Sequence, residues 1–223
     1  MVSTTACKWD TIIPFEPLWE QYERVIKDNG AIVLTASQPF TSALVMSRPK
    51  LFRFSWVWNK KFAGNFALSK YQPQKIHEDV LIFSKHPCSF YPMLTKRDKP
   101  IKHGSNKCLS ESSRIAYAKS EYENKVYKYK QPESIIEFSN RAEKKGLHPT
   151  QKPVALFEYL IRTYTNEDDT VLDNCIGSGT TAIACLNTGR NFIGIEKDEQ
   201  YHKIACERVQ KWHDEQGLAD KKV

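Results

Sequence analysis

The 223-residue sequence contains no apolar run approaching the roughly 18–20 residues that a membrane-spanning helix needs. Its opening, Met-Val-Ser-Thr-Thr-Ala-Cys-Lys-Trp-Asp, lacks the apolar stretch of a secretory signal. The six cysteines (Cys7, Cys88, Cys108, Cys175, Cys185 and Cys206) form no CxxC pair, and the histidines do not cluster. A zinc site or a disulfide framework is therefore not expected, and reduced thiols in a cytoplasmic protein are. No internal repeat or long low-complexity tract is present, which excludes solenoid and fibrous architectures.

What is present is an ordinary globular composition, 40% hydrophobic and 26% charged, in a chain long enough for one domain with a large insertion. The net charge of +7 is unevenly placed. Between Lys85 and Lys152 there are 15 basic residues against 7 acidic ones, whereas the rest of the chain holds 18 against 19. A solvated loop region explains such a bias as well as a binding surface does, but a positive segment beside a balanced domain points to a polyanionic partner.

Periodicity divides the chain. Leu18, Tyr22, Val25 and Ile26 predict a helix over 17–29, stopped by Gly30. Residues 31–36 read as a short buried strand. Alternation of Phe52, Phe54, Trp56 and Trp58 with Arg53, Ser55 and Val57 predicts a strand, which a loop containing Gly64 and Pro73 joins to a second strand at 80–84. From about His86 to Lys145 periodicity is lost over a length unusual for a connection, so this segment is either an inserted module or partly disordered. Order returns with a helix after Pro153, a strand at 170–175, a helix at 180–187, a strand at 191–196 and a helix at 199–212. Alternating strands and helices argue for an α/β sheet with helices on its faces.

The second half carries the most informative constellation. Asp173-Asn-Cys-Ile-Gly177-Ser178-Gly179-Thr180-Thr181 lies between a strand and a helix, and the next strand ends at Glu196. Two glycines permit a tight turn and close approach of the backbone to a ligand, and the helix start offers free N–H groups. A strand-tip acid is suited to ribose hydroxyls. A P-loop is excluded because no Gly-Lys-[Ser/Thr] follows the glycines, but a dinucleotide site stays open because Ala182 can stand where the third glycine usually sits.

Val171-Leu-Asp-Asn-Cys-Ile-Gly-Ser-Gly-Thr-Thr resembles the S-adenosylmethionine motif of the amino-group DNA methyltransferases, which make N6-methyladenine or N4-methylcytosine. His148-Pro-Thr-Gln-Lys-Pro153, Trp58-Asn-Lys60 and the stretch from His77 to Ser84 are similar to other motifs of the β class of that family. The resemblance implies a Rossmann-like methyltransferase sheet with helices on both faces. It divides the chain into a catalytic half at 1–84, a basic target-recognition insertion at 85–147 and a cofactor half at 148–223. It further implies that Asp173 meets the methionine amino group, that Gly177, Ser178, Gly179 and Thr180 form the loop under the cofactor, and that Glu196 binds the ribose. Thr150, Gln151 and Lys152 would lie beside the methionine carboxylate. Lys96, Arg97, Lys99, Lys102, Lys107 and Arg114 would contact double-stranded DNA through its phosphates. A bacterial or phage-encoded cytoplasmic enzyme is expected, as a homodimer, with adenine N6 favoured over cytosine N4. Whether a restriction endonuclease accompanies it stays open.

The family's Asp-Pro-Pro-Tyr motif would precede Thr4, where only Met1-Val-Ser3 stands, and no such motif occurs elsewhere. No catalytic residue is therefore assigned. The fold is expected to be incomplete at its N-terminus, with neighbouring strand edges unpaired and little methyl transfer. A shortened chain or a misassigned start is favoured over a degenerate relative. The alternatives are a non-catalytic protein binding DNA and S-adenosylmethionine on the same scaffold, and a nicotinamide-dependent oxidoreductase, which accounts for the glycine turn alone.

Overall fold

The computed structural model describes residues 12–64, 66–102, 126–141 and 147–219. In chain order the helices and strands are α1 (Phe15–Val25), β1 (Ile32–Ala36), α2 (Phe40–Ser47), β2 (Phe52–Asn59), β3 (His77–Phe83), β4 (Thr95–Lys102), β5 (Val126–Lys130), β6 (Ile135–Glu137), α3 (Val154–Tyr164), β7 (Thr170–Asp173), α4 (Thr180–Thr188), β8 (Asn191–Gly194) and α5 (Glu199–Ala219). They form two compact units: Pro92–Glu133, and the described residues on either side of it.

In the larger unit β1, β3, β2 and β6 make one sheet in that order, with β3 antiparallel to both β1 and β2. β6 pairs parallel to β2. The expected antiparallel pair is thus β2–β3, closed by Asn59 opposite His77. The run Val80-Leu81-Ile82-Phe83 is buried throughout because both faces of β3 are covered. Val80 and Ile82 face α3 with Trp56, Trp58, Leu156, Leu160 and Tyr164. Leu81 and Phe83 face α1 and α2 with Trp19, Leu44 and Leu51. Each such large side chain contributes on the order of 1.5–3 kcal/mol by leaving water.

β7 and β8 form a separate parallel pair, Asp173 opposite Gly194. Val171 and Phe192 turn toward Ile161, Ala184 and Cys185 on α3 and α4. Among the described residues β1 pairs only with β3, and β7 only with β8, so each presents one edge without a strand partner.

Four points of the expected element pattern need correction. α1 starts at Phe15 and ends at Val25, because Ile26 is extended (φ −74°, ψ 138°) and packs into the core beside Trp19. Gly30 closes a separate turn on the Lys27 carbonyl at 2.9 Å rather than ending the helix. α2 was not expected, since its eight residues give no clean 3.6-residue stripe. α5 runs on to Ala219, past Trp212.

The smaller unit lies inside the basic middle segment. It is an antiparallel ribbon of β4 and β5 with Lys96 opposite Tyr129 and Ile101 opposite Tyr127. Strand alternation therefore places Tyr127, Tyr129, Ile101 and Lys96 on one face, and Lys102, Lys128 and Lys130 on the other. This segment reads as patternless because the ribbon has no buried face to impose an apolar alternation.

Candidate functional site

The turn between β7 and α4 is shaped by two glycines in left-handed conformation, Gly177 (φ +54°) and Gly179 (φ +84°). A Cβ on Gly179 would stand 3.1 Å from both Cα and Cβ of Ala205, so the missing side chain lets α5 pack against the start of α4. The turn is tied to the second strand by two backbone bonds, Ile195 N–H to Asp173 O at 2.9 Å and Ile176 N–H to Ile195 O at 3.1 Å.

Two carboxylates flank it. Asp173 accepts hydrogen bonds from the Cys175 N–H at 3.0 Å and from the Thr181 hydroxyl, which fixes its orientation. Glu196 accepts from the Gly177 N–H at 2.8 Å and from the Asp198 N–H at 2.9 Å. Their field registers on neighbouring groups. Packing around the sulfur raises the Cys175 thiol first, and the charges of Asp173 and Glu196 push it further. Burial, then Cys175 and Asp173, drives the Tyr22 phenol up to about 12; its hydroxyl donates to Asn174 Oδ1 at 3.0 Å. The rim of the turn is thus electronegative and suited to a cationic ligand.

The segment 148–152 closes the other side. His148 packs edge-on against Tyr201, 4.2 Å between ring centroids, and its ring lies 3.6–3.8 Å from where a Gly177 Cβ would be. Its Nδ1 accepts the Thr150 N–H at 3.2 Å, which leaves the ring proton of the neutral form on Nε2. Desolvation holds the imidazole below its ordinary value of 6.5, with Glu196 opposing and Lys152 reinforcing the shift. The Ser178 hydroxyl donates to Gln151 Oε1 at 3.3 Å, and the Thr180 hydroxyl to the Lys152 carbonyl at 3.3 Å. All nine residues expected around a nucleoside cofactor (Thr150, Gln151, Lys152, Asp173, Gly177, Ser178, Gly179, Thr180 and Glu196) therefore belong to one hydrogen-bonded neighbourhood or the turn at its centre.

Sequence reasoning left several participants without a role. Glu78, on β3, takes Lys60 Nζ at 3.1 Å on one oxygen and Lys152 Nζ at 3.5 Å on the other. Arg208, on α5, donates to the Ser178 carbonyl at 2.7 Å. Both are long-range partners on elements remote in sequence, and no local pattern marks them. Of the expected DNA contacts, Lys96, Arg97, Lys99 and Lys102 lie on β4, with Arg97 Nε donating to the Tyr129 carbonyl at 3.2 Å. Lys107 and Arg114 lie outside the described residues, as do Met1–Thr11, on which the expectation about the missing catalytic motif falls. Among the described residues no helix is long and apolar enough to cross a membrane.

The strand, glycine turn, helix and strand-tip acid, set beside a mixed sheet with helices on both faces, define a Rossmann-like methyltransferase fold. Solved structures share it: the M1.HpyAVI–SAM complex superposes with a TM-score of 0.59 at 25% identity, covering 91% of this chain and 85% of that one. PvuII DNA methyltransferase (cytosine-N4-specific) gives a TM-score of 0.60 at 16% identity over 92% of this chain and 75% of that one, a likeness of fold alone. The chain belongs to the DNA methylase family, whose N6/N4 methyltransferase profile matches residues 8–207. Type II methyltransferase M.HpaI of Haemophilus parainfluenzae is 29% identical over 201 residues, 88% of this chain. The chain spans 59% of the length of that relative. Type II methyltransferase M1.MboII of Moraxella bovis is 27% identical over 213 residues, covering 86% of this chain and 80% of that protein.

Proposed function

We propose that this protein binds S-adenosylmethionine and takes part in methylating the exocyclic amino group of a base in double-stranded DNA, adenine N6 ahead of cytosine N4. The observation that carries the reading is the approach of the Glu196 carboxylate to the Gly177 N–H at 2.8 Å, which brings the strand-tip acid and the glycine turn into one cradle. The donor set fits the cofactor: an electronegative rim suits a sulfonium, Glu196 a ribose diol, and Lys152 a carboxylate.

Bound there, the cofactor supplies a methyl group for direct in-line transfer to the amine nitrogen. The residues of this chain hold and align. Asp173, fixed by Thr181 and Cys175, presents a carboxylate to an ammonium group. Gln151 and Lys152 are tied to Ser178 and Thr180, Thr150 is tied to His148, and together they close the methionine side. The basic ribbon supplies cations for phosphates.

Calorimetric titration with S-adenosylmethionine and with NAD tests the cofactor assignment; saturable binding of NAD alone refutes it. Transfer of a tritiated methyl group to duplex DNA, followed by nucleoside analysis, tests the rest. Label on adenine N6 is the expected result. Label on cytosine carbon 5 contradicts it.

A further inference from the structure

We infer that the loop 60–76 between β2 and β3 is a second contact for the phosphate backbone of duplex DNA, carried by the same unit as the cofactor turn; this rests on reading the chain as a DNA-binding protein. The loop contains Lys60, Lys61, Lys70 and Lys75 and no acidic residue. Its 17 residues exceed the ordinary length of a connection between two paired strands, and loops longer than about 12–15 residues are usually functional or disordered.

Its described part is a set structure. The Lys60 N–H closes the base on the Ile76 carbonyl at 2.7 Å. Lys61 holds a left-handed conformation, φ +64°, secured by its N–H to Asn59 Oδ1 at 2.9 Å. A non-glycine residue kept there stores strain, a feature that clusters at functional sites. Beyond the short 3-10 turn at Phe66–Leu68, the Tyr71 and Gln72 N–H groups both reach the Leu68 carbonyl, at 2.9 and 3.1 Å. That turn displays Lys70 and Tyr71. Tyr71 is 85% exposed, so it contributes almost nothing to the core and is available for contact.

Position and chemistry then converge. The loop starts at Lys60, whose ammonium shares Glu78 with Lys152, so its base adjoins the segment expected at the cofactor. Arg141, whose guanidinium lies 4.1 Å over the Phe62 ring, brings another cation to the loop. Lys60 and Lys61 are held by Glu78 and Glu137, each at 3.1 Å, so the phosphate contact is assigned to Lys70, with the neighbouring tyrosine lying on sugar or base. The loop's lysines do not show in the net charge, because acids elsewhere outside the middle segment cancel them.

The test is fluorescence anisotropy of a 30-base-pair duplex with the full chain across a range of NaCl concentrations, for wild type, Lys70→Ala, Tyr71→Ala and the ribbon variant Lys128→Ala. Lys70→Ala should weaken binding several-fold and lower the log–log salt slope by about 0.9, the loss of one phosphate contact. Tyr71→Ala should weaken binding with the slope unchanged, while S-adenosylmethionine affinity stays the same in both. Wild type that binds duplex, with loss in Lys128→Ala but wild-type affinity and slope in Lys70→Ala and Tyr71→Ala, overturns the loop assignment alone. Failure of wild type to bind duplex at low salt overturns the DNA-binding reading with it. Retained duplex affinity in Lys70→Ala together with lost affinity for poly-glutamate assigns the loop to an acidic protein partner instead.

Discussion

Replacing Glu196 by Gln probes the cradle most directly. An ionised carboxylate has about four acceptor sites. Two are taken by the Gly177 and Asp198 N–H groups, and two are left for a vicinal diol. Glutamine keeps one carbonyl oxygen and turns an NH2 toward one of those backbone donors. One charge-assisted bond is lost and the others become neutral. Charge-assisted bonds are worth about 1.5–3 kcal/mol and neutral ones about 0.5–1.5. The half-buried setting of Glu196 favours the lower part of the combined loss, about 1.5–2 kcal/mol, or roughly 10- to 30-fold in Kd. Calorimetric titration of S-adenosylmethionine into both proteins measures it, with the melting temperature as a check on folding. An affinity within twofold of wild type, in a folded variant, would show that Glu196 does not grip the nucleoside.

Three further outcomes follow from the packing. Tyr164→Phe removes the acceptor of the buried Trp56 Nε1–H bond at 2.7 Å, leaving an unsatisfied donor; chemical denaturation should show a loss of about 1–3 kcal/mol. Gly179→Ala meets an unfavourable φ of +84° and the Ala205 backbone at 3.1 Å, so it should cost at least about 1–2 kcal/mol and weaken cofactor binding. Gly64→Ala, with open space around its Cβ position, should be neutral by comparison. For His148, burial lowers the folded pKa below 6.5, so the neutral ring is favoured in the folded state. Its contribution is fully present above 6.5 and is lost as the pH falls toward the folded value. The melting temperature should therefore decline through that window, and His148→Asn should flatten the decline.

How much of this was legible beforehand depended on the range of the interactions. The turn at 177–179 and its flanking elements follow from local chemistry: glycines at φ values that other residues resist, a strand pattern before them and a helix after. The double coverage of β3 was written in four successive apolar residues. By contrast, Glu78 serves two lysines 18 and 74 positions away along the chain, and no spacing rule predicts such a partnership. β6 was equally hidden, because a three-residue strand takes its conformation from pairing with Val57–Asn59 rather than from its own sequence. The limits of α1 were misjudged because Ile26 gains more by packing into the core than by continuing a helix.

Helix α3 has a thermodynamic consequence. Leu156, Leu160 and Tyr164 belong to the cluster on the four-stranded sheet, Ile161 belongs to the one on β7 and α4, and Phe157 packs against both. Melting either half strips contacts from the same eleven-residue rod, so neither half has a free energy of its own to keep it intact. Amide protons of β3 and β7 should accordingly exchange through one shared global opening, and heating should remove both halves of this unit in a single cooperative step.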